Sequence, residues 1–121
     1  MDKAGKYVDG FVVPVPKKNI EAYKQMSETA GRVWREHGAL EYVECVADDV
    51  QPGKVTSFPQ AVNLKDDEVV VFSWAVYESR EHRDRVMAAV MSDPRLKMDP
   101  ASMPFDGMRM FWGGFNVLLA K

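Results

Sequence analysis

The chain has a single cysteine, Cys45, and two histidines, His37 and His82, among its 121 residues. One cysteine excludes an internal disulfide, and a lone thiol is typical of a reducing compartment, so we expect a cytoplasmic protein. Two isolated histidines without cysteines or carboxylates at ligand spacing do not make a metal-binding pattern. We therefore expect no bound metal.

Clusters of one charge are missing as well. The 16 lysines and arginines and the 18 aspartates and glutamates are interspersed and leave a formal net charge of −2. A nucleic-acid-binding domain normally carries a basic face, and binding to anionic lipid needs a run of basic residues. No apolar run approaches the roughly 20 residues that span a bilayer, and Met1–Lys6 lacks the apolar core of a signal peptide. These absences argue against nucleic-acid and membrane partners.

Signatures of a bound nucleotide and of a catalytic triad are also absent, since there is no Walker loop, dinucleotide fingerprint or Ser-His-Asp order. We therefore expect no cofactor. Gly113-Gly114 lies inside a predicted strand with no helix after it, which indicates a bulge or a close backbone approach rather than a phosphate loop. Eight methionines would suit copper(I), but their irregular spacing favours a role as pocket or interface filler.

Hydrophobic patterning predicts four strands and two long helices. Segments rich in β-branched and aromatic residues predict strands at Lys6–Val15, Leu40–Ala47, Val69–Tyr77 and about Met108–Leu119. Apolar residues at three- and four-residue steps predict helices over 18–37 and Arg80–Met91, the second with Ser79 as its cap. Gly38 is expected to end the first helix in a left-handed conformation, and Ser57 to begin a short helix with Pro59 in its first turn.

This order of elements, βαββαβ, fits one domain over residues 1–121, and 46% apolar residues is an ordinary globular value. Two right-handed β-α-β crossovers, interleaved, give a ferredoxin-like α+β fold. It has a four-stranded antiparallel sheet in the order 4-1-3-2, with both helices on one face.

The other face of this sheet is expected to be apolar. The last strand alternates Phe111, Phe115 and Val117 with Met110, Trp112 and Leu118, so neither of its sides is polar. Four strands about 4.8 Å apart and seven residues of about 3.3 Å rise give a face on the order of 440 Å². A bare apolar patch of that size commonly marks an interaction site. A second copy packed sheet to sheet is the simplest cover, so we expect a homodimer.

Short motifs along nearly the whole chain resemble a known bacterial family. They are Tyr7-Val8-Asp9-Gly10-Phe11-Val12, Gly38-Ala39-Leu40, Val43-Glu44-Cys45, Asp49-Val50, Gly53-Lys54-Val55-Thr56, Val70-Val71-Phe72-Ser73-Trp74, Ser92-Asp93-Pro94-Arg95, Met103-Pro104-Phe105-Asp106-Gly107, Arg109-Met110 and Gly113-Gly114-Phe115. Together they resemble the YbaA-like family, which has a domain of unknown function. The resemblance implies a dimeric α/β barrel and supplies no catalytic residues. Pro59 departs from the family pattern, and this departure concerns only the predicted short helix.

Two carboxylates lie inside predicted strands, where acidic residues are disfavoured. Asp9, if it faces the helices, is expected near His37 or Arg95, either as a structural ion pair or as a pocket carboxylate. Glu44 lies on a mostly apolar strand and needs a partner. Arg109 is the expected one, across a dimer, because the second and fourth strands are the two edges of the sheet.

We expect structural roles for the cysteine and the two histidines. Cys45 follows Glu44 directly and so points to the opposite face of the sheet, where it is expected to be a buried, inert thiol. His37 is expected to complement the C-terminal end of its helix, and His82 to be solvated in the first turn of the next.

Three functions remain open. The leading hypothesis is a homodimer that binds a small, mostly apolar ligand in a pocket lined by Phe11, Tyr42, Trp74 and Phe115, with Asp9, Glu44 or Arg109 at the ligand's polar end. The second, by analogy of fold alone, is an enzyme like the cofactor-independent monooxygenases and related isomerases, with Asp9 or Glu44 as base. The third is an interaction protein without a pocket that presents loops Asp48–Asp66 and Ser92–Gly107 to a partner protein.

Overall fold

A computed structural model describes residues 6–121, in which four strands and three α-helices are found. They are β1 (Tyr7–Pro16), α1 (Ile20–Glu36), β2 (Glu41–Val46), α2 (Phe58–Ala61), β3 (Glu68–Tyr77), α3 (Arg80–Met91) and β4 (Phe111–Asn116). The expectation about a signal peptide concerns Met1–Lys6, of which residues 1–5 lie outside the described part of the chain. Within the described part, no helix combines the length and the apolar composition needed to cross a membrane.

The strands form one sheet in the order β2-β3-β1-β4, and every neighbouring pair is antiparallel. The predicted order 4-1-3-2 and the ferredoxin-like α+β fold are confirmed. Pairing places Tyr7 opposite both Tyr77 and Asn116, and Glu41 opposite Val76. The starts of β1 and β2 and the ends of β3 and β4 therefore lie together at one end of the sheet. The register also fixes the faces, because residues directly opposite each other point to the same side.

The main core lies between the sheet and the two long helices. Tyr7, Ala75 and Tyr77 of the sheet pack against Val33 of α1 and against Val86 and Val90 of α3. A second group, Val13, Val15, Val71 and Tyr23, continues this core along the sheet. Alternate residues of each strand therefore face the helices, which is the period-two pattern of a sheet covered on one side.

The predicted capping residues Ser79, Ser57 and Gly38 are confirmed, whereas α1 begins at Ile20, two residues later than predicted. The Ser79 hydroxyl accepts a hydrogen bond of 3.1 Å from the His82 N–H, and the Ser57 hydroxyl accepts one of 3.2 Å from the Gln60 N–H. Gly38 has φ +118°, a backbone conformation that side-chain-bearing residues rarely adopt. Pro59 does not prevent α2, because the first turn of a helix does not use the proline N–H.

The last strand is shorter than predicted. β4 spans Phe111–Asn116, whereas the sequence predicted about Met108–Leu119. A turn precedes it: the Asp106 carboxylate accepts from the Met108 N–H at 2.9 Å, and the Asp106 carbonyl accepts from the Arg109 N–H at 3.3 Å. At the other end, Val117 adds one hydrogen bond of 3.0 Å to the Lys6 carbonyl.

Gly114 allows a close approach in the sheet, as the Gly113-Gly114 pair predicted. A Cβ added at Gly114 would lie 2.3 Å from the Tyr7 hydroxyl and 2.7 Å from its ring. We expect Gly114→Ala to lower the free energy of unfolding by about 1–3 kcal/mol, since the buried Tyr7 ring has to move. Chemical denaturation measures this. Gly113→Ala is the matched control, because its Cβ would make only ordinary contact, 3.7 Å from Phe115, and an equal loss in both variants would contradict the steric explanation.

Candidate functional site

An open groove of about 560 Å³ lies between α1 and the edge strand β2. Its wall is mostly apolar, from Ile20, Val46, Val71 and the rings of Tyr23 and Tyr42. Three cationic residues of α1, Lys24, Arg32 and Arg35, are exposed along it together with Glu28. Glu44 contributes a carboxylate to the same wall. This combination of an apolar wall with a few convergent polar groups is typical of small-molecule sites.

Two tyrosines hold the Glu44 carboxylate from both sides. The Tyr23 hydroxyl donates to Oε1 at 2.8 Å, and the Tyr42 hydroxyl donates to Oε2 at 2.7 Å. Burial raises the pKa of both phenols far above their usual value, and the neighbouring negative charge of Glu44 raises each further. The two hydroxyls therefore keep their protons and act as donors, which leaves Glu44 as the acceptor.

The local sequence explains how this arrangement forms. On β2 the even-numbered residues Tyr42, Glu44 and Val46 share the face that looks toward α1. Gly31 of α1 leaves room for the Tyr42 ring, since a Cβ there would lie 2.9 Å from its Cδ1. Ser27, one helical turn after Tyr23, is buried in the same wall, and its hydroxyl makes no hydrogen bond of ordinary geometry within residues 6–121.

Tyr42 and Glu44 were predicted from the sequence, whereas two other members of the groove were not. Tyr23 belongs to the apolar residues at three- and four-residue steps that predict the first helix, and no predicted site included Ser27. A signal did exist, because two hydroxyl-bearing residues at an i, i+4 spacing interrupt an otherwise apolar helix face. That spacing places both on one side of the helix, where they face the same strand.

Asp9 is buried, with 0% of its surface exposed, but its predicted partners are wrong. Neither His37 nor Arg95 reaches it; Arg83 of α3 donates to its Oδ1 at 2.7 Å. β3 ends beside the start of β1, so the first turns of the helix that follows β3 lie over Asp9. Burial raises the pKa of Asp9, and the Arg83 charge opposes that shift. Asp9 lies outside the groove lining and has the character of a structural ion pair.

His37 and Arg95 instead converge on Asp93, the second residue after α3. His37 Nε2 lies 2.9 Å from Asp93 Oδ2, and Arg95 contacts both carboxylate oxygens, at 3.0 and 2.8 Å. These hydrogen bonds, that from Arg95 first, hold the pKa of Asp93 well below its usual range. His82 is not simply solvated, because its Nδ1 accepts from the Glu78 N–H at 2.9 Å. The contacts of Asp93 link the C-terminal ends of α1 and α3, and none of these residues lines the groove.

Arg109 does not pair with Glu44 in this structure. Its Nη1 donates to Glu68 at 2.8 Å and to the carbonyls of Val62 and Asn63, while its Nε donates to Asp106 at 2.8 Å. The hydrogen bonds from Arg109 lower the pKa of Glu68, which is buried at the start of β3. The Arg109 guanidinium thus makes its hydrogen bonds within the chain and links the segment before β4 to the loop before β3.

The other predicted ligand contacts lie on different surfaces. Trp74 and Phe115 face away from the helices, and the Trp74 indole donates to Glu41 at 2.8 Å. Phe11 faces the helix side and stacks on Trp112 with ring centroids 6.0 Å apart. Of the seven predicted ligand residues, the structure thus brings only Tyr42 and Glu44 together in the groove.

The sheet face opposite α1 and α3 is partly covered. Val62 and Leu64, from the long loop, pack on Val12 and Val70 near one end of the sheet. The rest, here called the open face, carries the exposed aromatic side chains Phe72, Phe111 and Phe115. Cys45 lies on this face and is half-buried, so the expectation of a buried thiol is wrong for the isolated chain.

Metal-ligating residues do not cluster in the described part of the chain: no three His, Cys, Asp or Glu side chains are placed to share an ion. The methionines have mixed positions. Met26 and Met110 pack against the core, whereas Met91 and Met108 are exposed.

Comparison with known proteins identifies the family. The family model described as "Protein of unknown function (DUF1428)" matches residues 6–107. The chain belongs to the DUF1428 family. The chain is also similar to the YbaA proteins of Escherichia coli K12 and Shigella flexneri, each 52% identical over 114 residues, which is 94% of this chain and 97% of the relative. The YbaA-like resemblance seen in the sequence is therefore confirmed.

A solved structure supports the fold of this DUF1428 member. SnoaB, described as a cofactor-independent oxygenase from Streptomyces nogalater, aligns with a TM-score of 0.51 over 97% of both chains. The two sequences are only 14% identical, so the likeness concerns the fold alone.

Proposed function

We propose that this protein is a cytoplasmic homodimer that binds a small, mostly apolar molecule in the groove between α1 and β2. The observation that carries the proposal is the Glu44 carboxylate, held by two tyrosine hydroxyls inside an otherwise apolar wall. A carboxylate placed this way fixes the orientation of a ligand whose apolar body fills the rest of the groove. The cytoplasmic location rests on the single cysteine, Cys45.

The dimer is supported by the composition of the open face. Pairing arranges the side chains on this side of the sheet in three cross-strand rows, in which Val12 and Val76 are already buried: Cys45, Phe72, Val12 and Phe111; Val43, Trp74, Gly10 and Gly113; Glu41, Val76, Val8 and Phe115. Large rings in the outer rows flank the two glycines of the middle row. A surface with both projections and a recess can fit a copy of itself about a twofold axis.

The two sheet edges also favour pairing between copies. β4 and β2 are the edge strands, and their chain directions are opposite. A twofold axis parallel to the strands would place β4 of each copy beside β2 of the other, in antiparallel orientation. This pairing would remove both open edges, which soluble proteins usually cover. It would also bring the exposed Leu118 and Leu119, just after β4, next to the second copy.

Ligand binding in the groove can be tested by blocking it. Val46 lines the groove and is 57% exposed, so Val46→Trp should fill the groove without disturbing the core. With 8-anilinonaphthalene sulfonate as a fluorescent apolar probe, we expect the variant to bind at least about tenfold more weakly than the unmodified protein. Val55→Trp, at a 94% exposed site outside the groove, is the control and should bind normally. Equal probe binding by all three proteins would place the probe elsewhere and contradict the proposal.

Catalysis in the same groove is a second candidate function. Glu44 is an accessible carboxylate in an apolar wall, the setting in which a general base removes a proton from a bound substrate. Asp9 is a poor candidate, since it is buried outside the groove. For any substrate found to turn over, Glu44→Gln should abolish turnover while the melting temperature stays unchanged. Full turnover by that variant would exclude Glu44 as the base.

A further inference from the structure

We propose that the ligand of the groove is zwitterionic: an apolar chain with an ammonium group that binds Glu44 and a carboxylate that binds Arg32 or Arg35. This inference rests on the proposed function of the groove and adds the chemical class of its ligand. The charges that surround the groove support it, both on the inner wall and on the rim.

Glu44 has no cationic partner among the described residues. Its carboxylate receives hydrogen bonds from Tyr23 and Tyr42, but no lysine, arginine or histidine makes a salt bridge with it there. A carboxylate offers about four acceptor sites, so roughly two remain for a ligand. A negative charge against an apolar wall is costly unless it is paired, and tyrosine rings attract cations. An ammonium group would donate to the remaining acceptor sites, pair with the negative charge and lie against the tyrosine rings.

The rim of the groove has the opposite charge. Lys24, Arg32 and Arg35 make no ion pair in the described part of the chain, and Glu28 is the one acid beside them on the rim. A simple amine would match Glu44 but would leave these cations without a partner. A simple carboxylic acid would match the rim but would leave the Glu44 carboxylate without a cation. A molecule with both charges is complementary to the inner wall and the rim together.

The helix sets the distance between the two charges. Tyr23 reaches Glu44 from one side, and Tyr42, which packs over Gly31, reaches it from the other, so Glu44 lies beside the middle of this stretch, near Ser27. Arg32 and Arg35 follow Ser27 by five and eight residues. At about 1.5 Å per residue they lie roughly 7–12 Å further along the axis of α1. An apolar spacer of a few methylene groups between amine and acid spans a distance of that order.

Four probes with the same six-carbon chain separate the charge requirements: ε-aminocaproate, hexylamine, hexanoate and hexanol. Each is titrated into isotope-labelled protein, and proton–nitrogen correlation spectra report shifts in α1 and β2. We expect ε-aminocaproate to bind at least about tenfold more tightly than hexanoate or hexanol. Hexylamine, hexanoate or hexanol binding as tightly as ε-aminocaproate would overturn the zwitterion assignment while leaving ligand binding in the groove intact. No shift in α1 or β2 with any of the four would overturn both.

Charge-removing variants identify which end of the ligand binds where. Glu44→Gln should weaken ε-aminocaproate at least about tenfold and leave hexanoate unweakened, since only the ammonium contact is lost. The double variant Arg32→Gln, Arg35→Gln should weaken ε-aminocaproate but not hexylamine. Arg85→Gln, an exposed site on α3, is the control and should change nothing. Retention of the full ε-aminocaproate preference by the Glu44 variant, with an otherwise unchanged spectrum, would refute the assignment.

Discussion

Replacing Phe115 with lysine is expected to dissociate the proposed dimer into monomers. Phe115 lies on the open face and is 63% exposed in the isolated chain, so the substitution leaves the core of each subunit intact. In a twofold dimer the change occurs twice, once in each copy. Each subunit loses the burial of a phenylalanine, worth about 1.5–3 kcal/mol, and the interface gains two charges.

The expected effect is therefore large. Two such losses amount to about 3–6 kcal/mol per dimer, or a dissociation constant raised roughly 10²–10⁴-fold. Native mass spectrometry of the untagged protein reports the subunit number directly, and sedimentation equilibrium gives the dissociation constant. Both measurements also show whether the unmodified protein is a dimer at all.

Trp112→Lys is the matched control for this experiment. Trp112 is 52% exposed, lies in the same strand and points to the other side of the sheet, where it stacks on Phe11. The variant has the same added charge and should remain dimeric. Dissociation of both variants would place the interface at the edge of the sheet rather than on its open face, and a dimeric Phe115→Lys would exclude the open face.

The fold was predictable because its signals are local and repeated. The β-branched run of β3 and the three- and four-residue spacing in α1 each follow from side-chain periodicity. Ser79, Ser57 and Gly38 mark element ends through single hydrogen bonds or backbone angles that one residue determines. The bounds of β4 were less accurate, because the turn formed by Asp106 competes with an apolar sequence that would also suit a strand.

The partners of charged residues were much less predictable. Asp9 and Glu44 were recognised as carboxylates that need partners, but the long-range placement of helix turns decides which group reaches them. Arg83 is separated from Asp9 by 74 residues, and Tyr23 from Glu44 by 21. No sequence period relates residues so far apart, so only the packed structure reveals these pairs.

Arg83→Met is the substitution expected to destabilise the subunit most. It keeps the apolar stem of Arg83, which is only 12% exposed, but removes the cation that faces the buried Asp9 carboxylate. Breaking a buried ion pair from one side costs about 3–5 kcal/mol, because the remaining charge stays buried without compensation. For a domain of this size the melting temperature should fall by roughly 12–20 °C. Thermal and chemical denaturation at neutral pH measure both quantities.

The cost of this substitution should depend on pH in a defined direction. Burial raises the pKa of Asp9 above its ordinary value of 3.8, and loss of Arg83, which opposes that shift, should raise it further. The folded state then binds a proton more tightly than the unfolded state, so stability falls as pH rises from about 3.8 through the folded pKa. The difference between Arg83→Met and the unmodified protein should therefore be largest at neutral pH and shrink toward acid pH.

Asp9→Asn provides the test of this explanation. It removes the ionisable group but keeps its shape and an oxygen that can accept from Arg83, so it should cost less than Arg83→Met at neutral pH. In the Asp9→Asn background, Arg83→Met should lose most of its cost and its pH dependence, because no buried charge is left unpaired. A coupling of about 1 kcal/mol or more in this double-mutant cycle would confirm the pair. If Arg83→Met costs the same with Asp9 as with Asn at that position, Arg83 stabilises the fold through its contact with Tyr7, whose ring centre lies 5.0 Å from its guanidinium, and not through its pairing with Asp9.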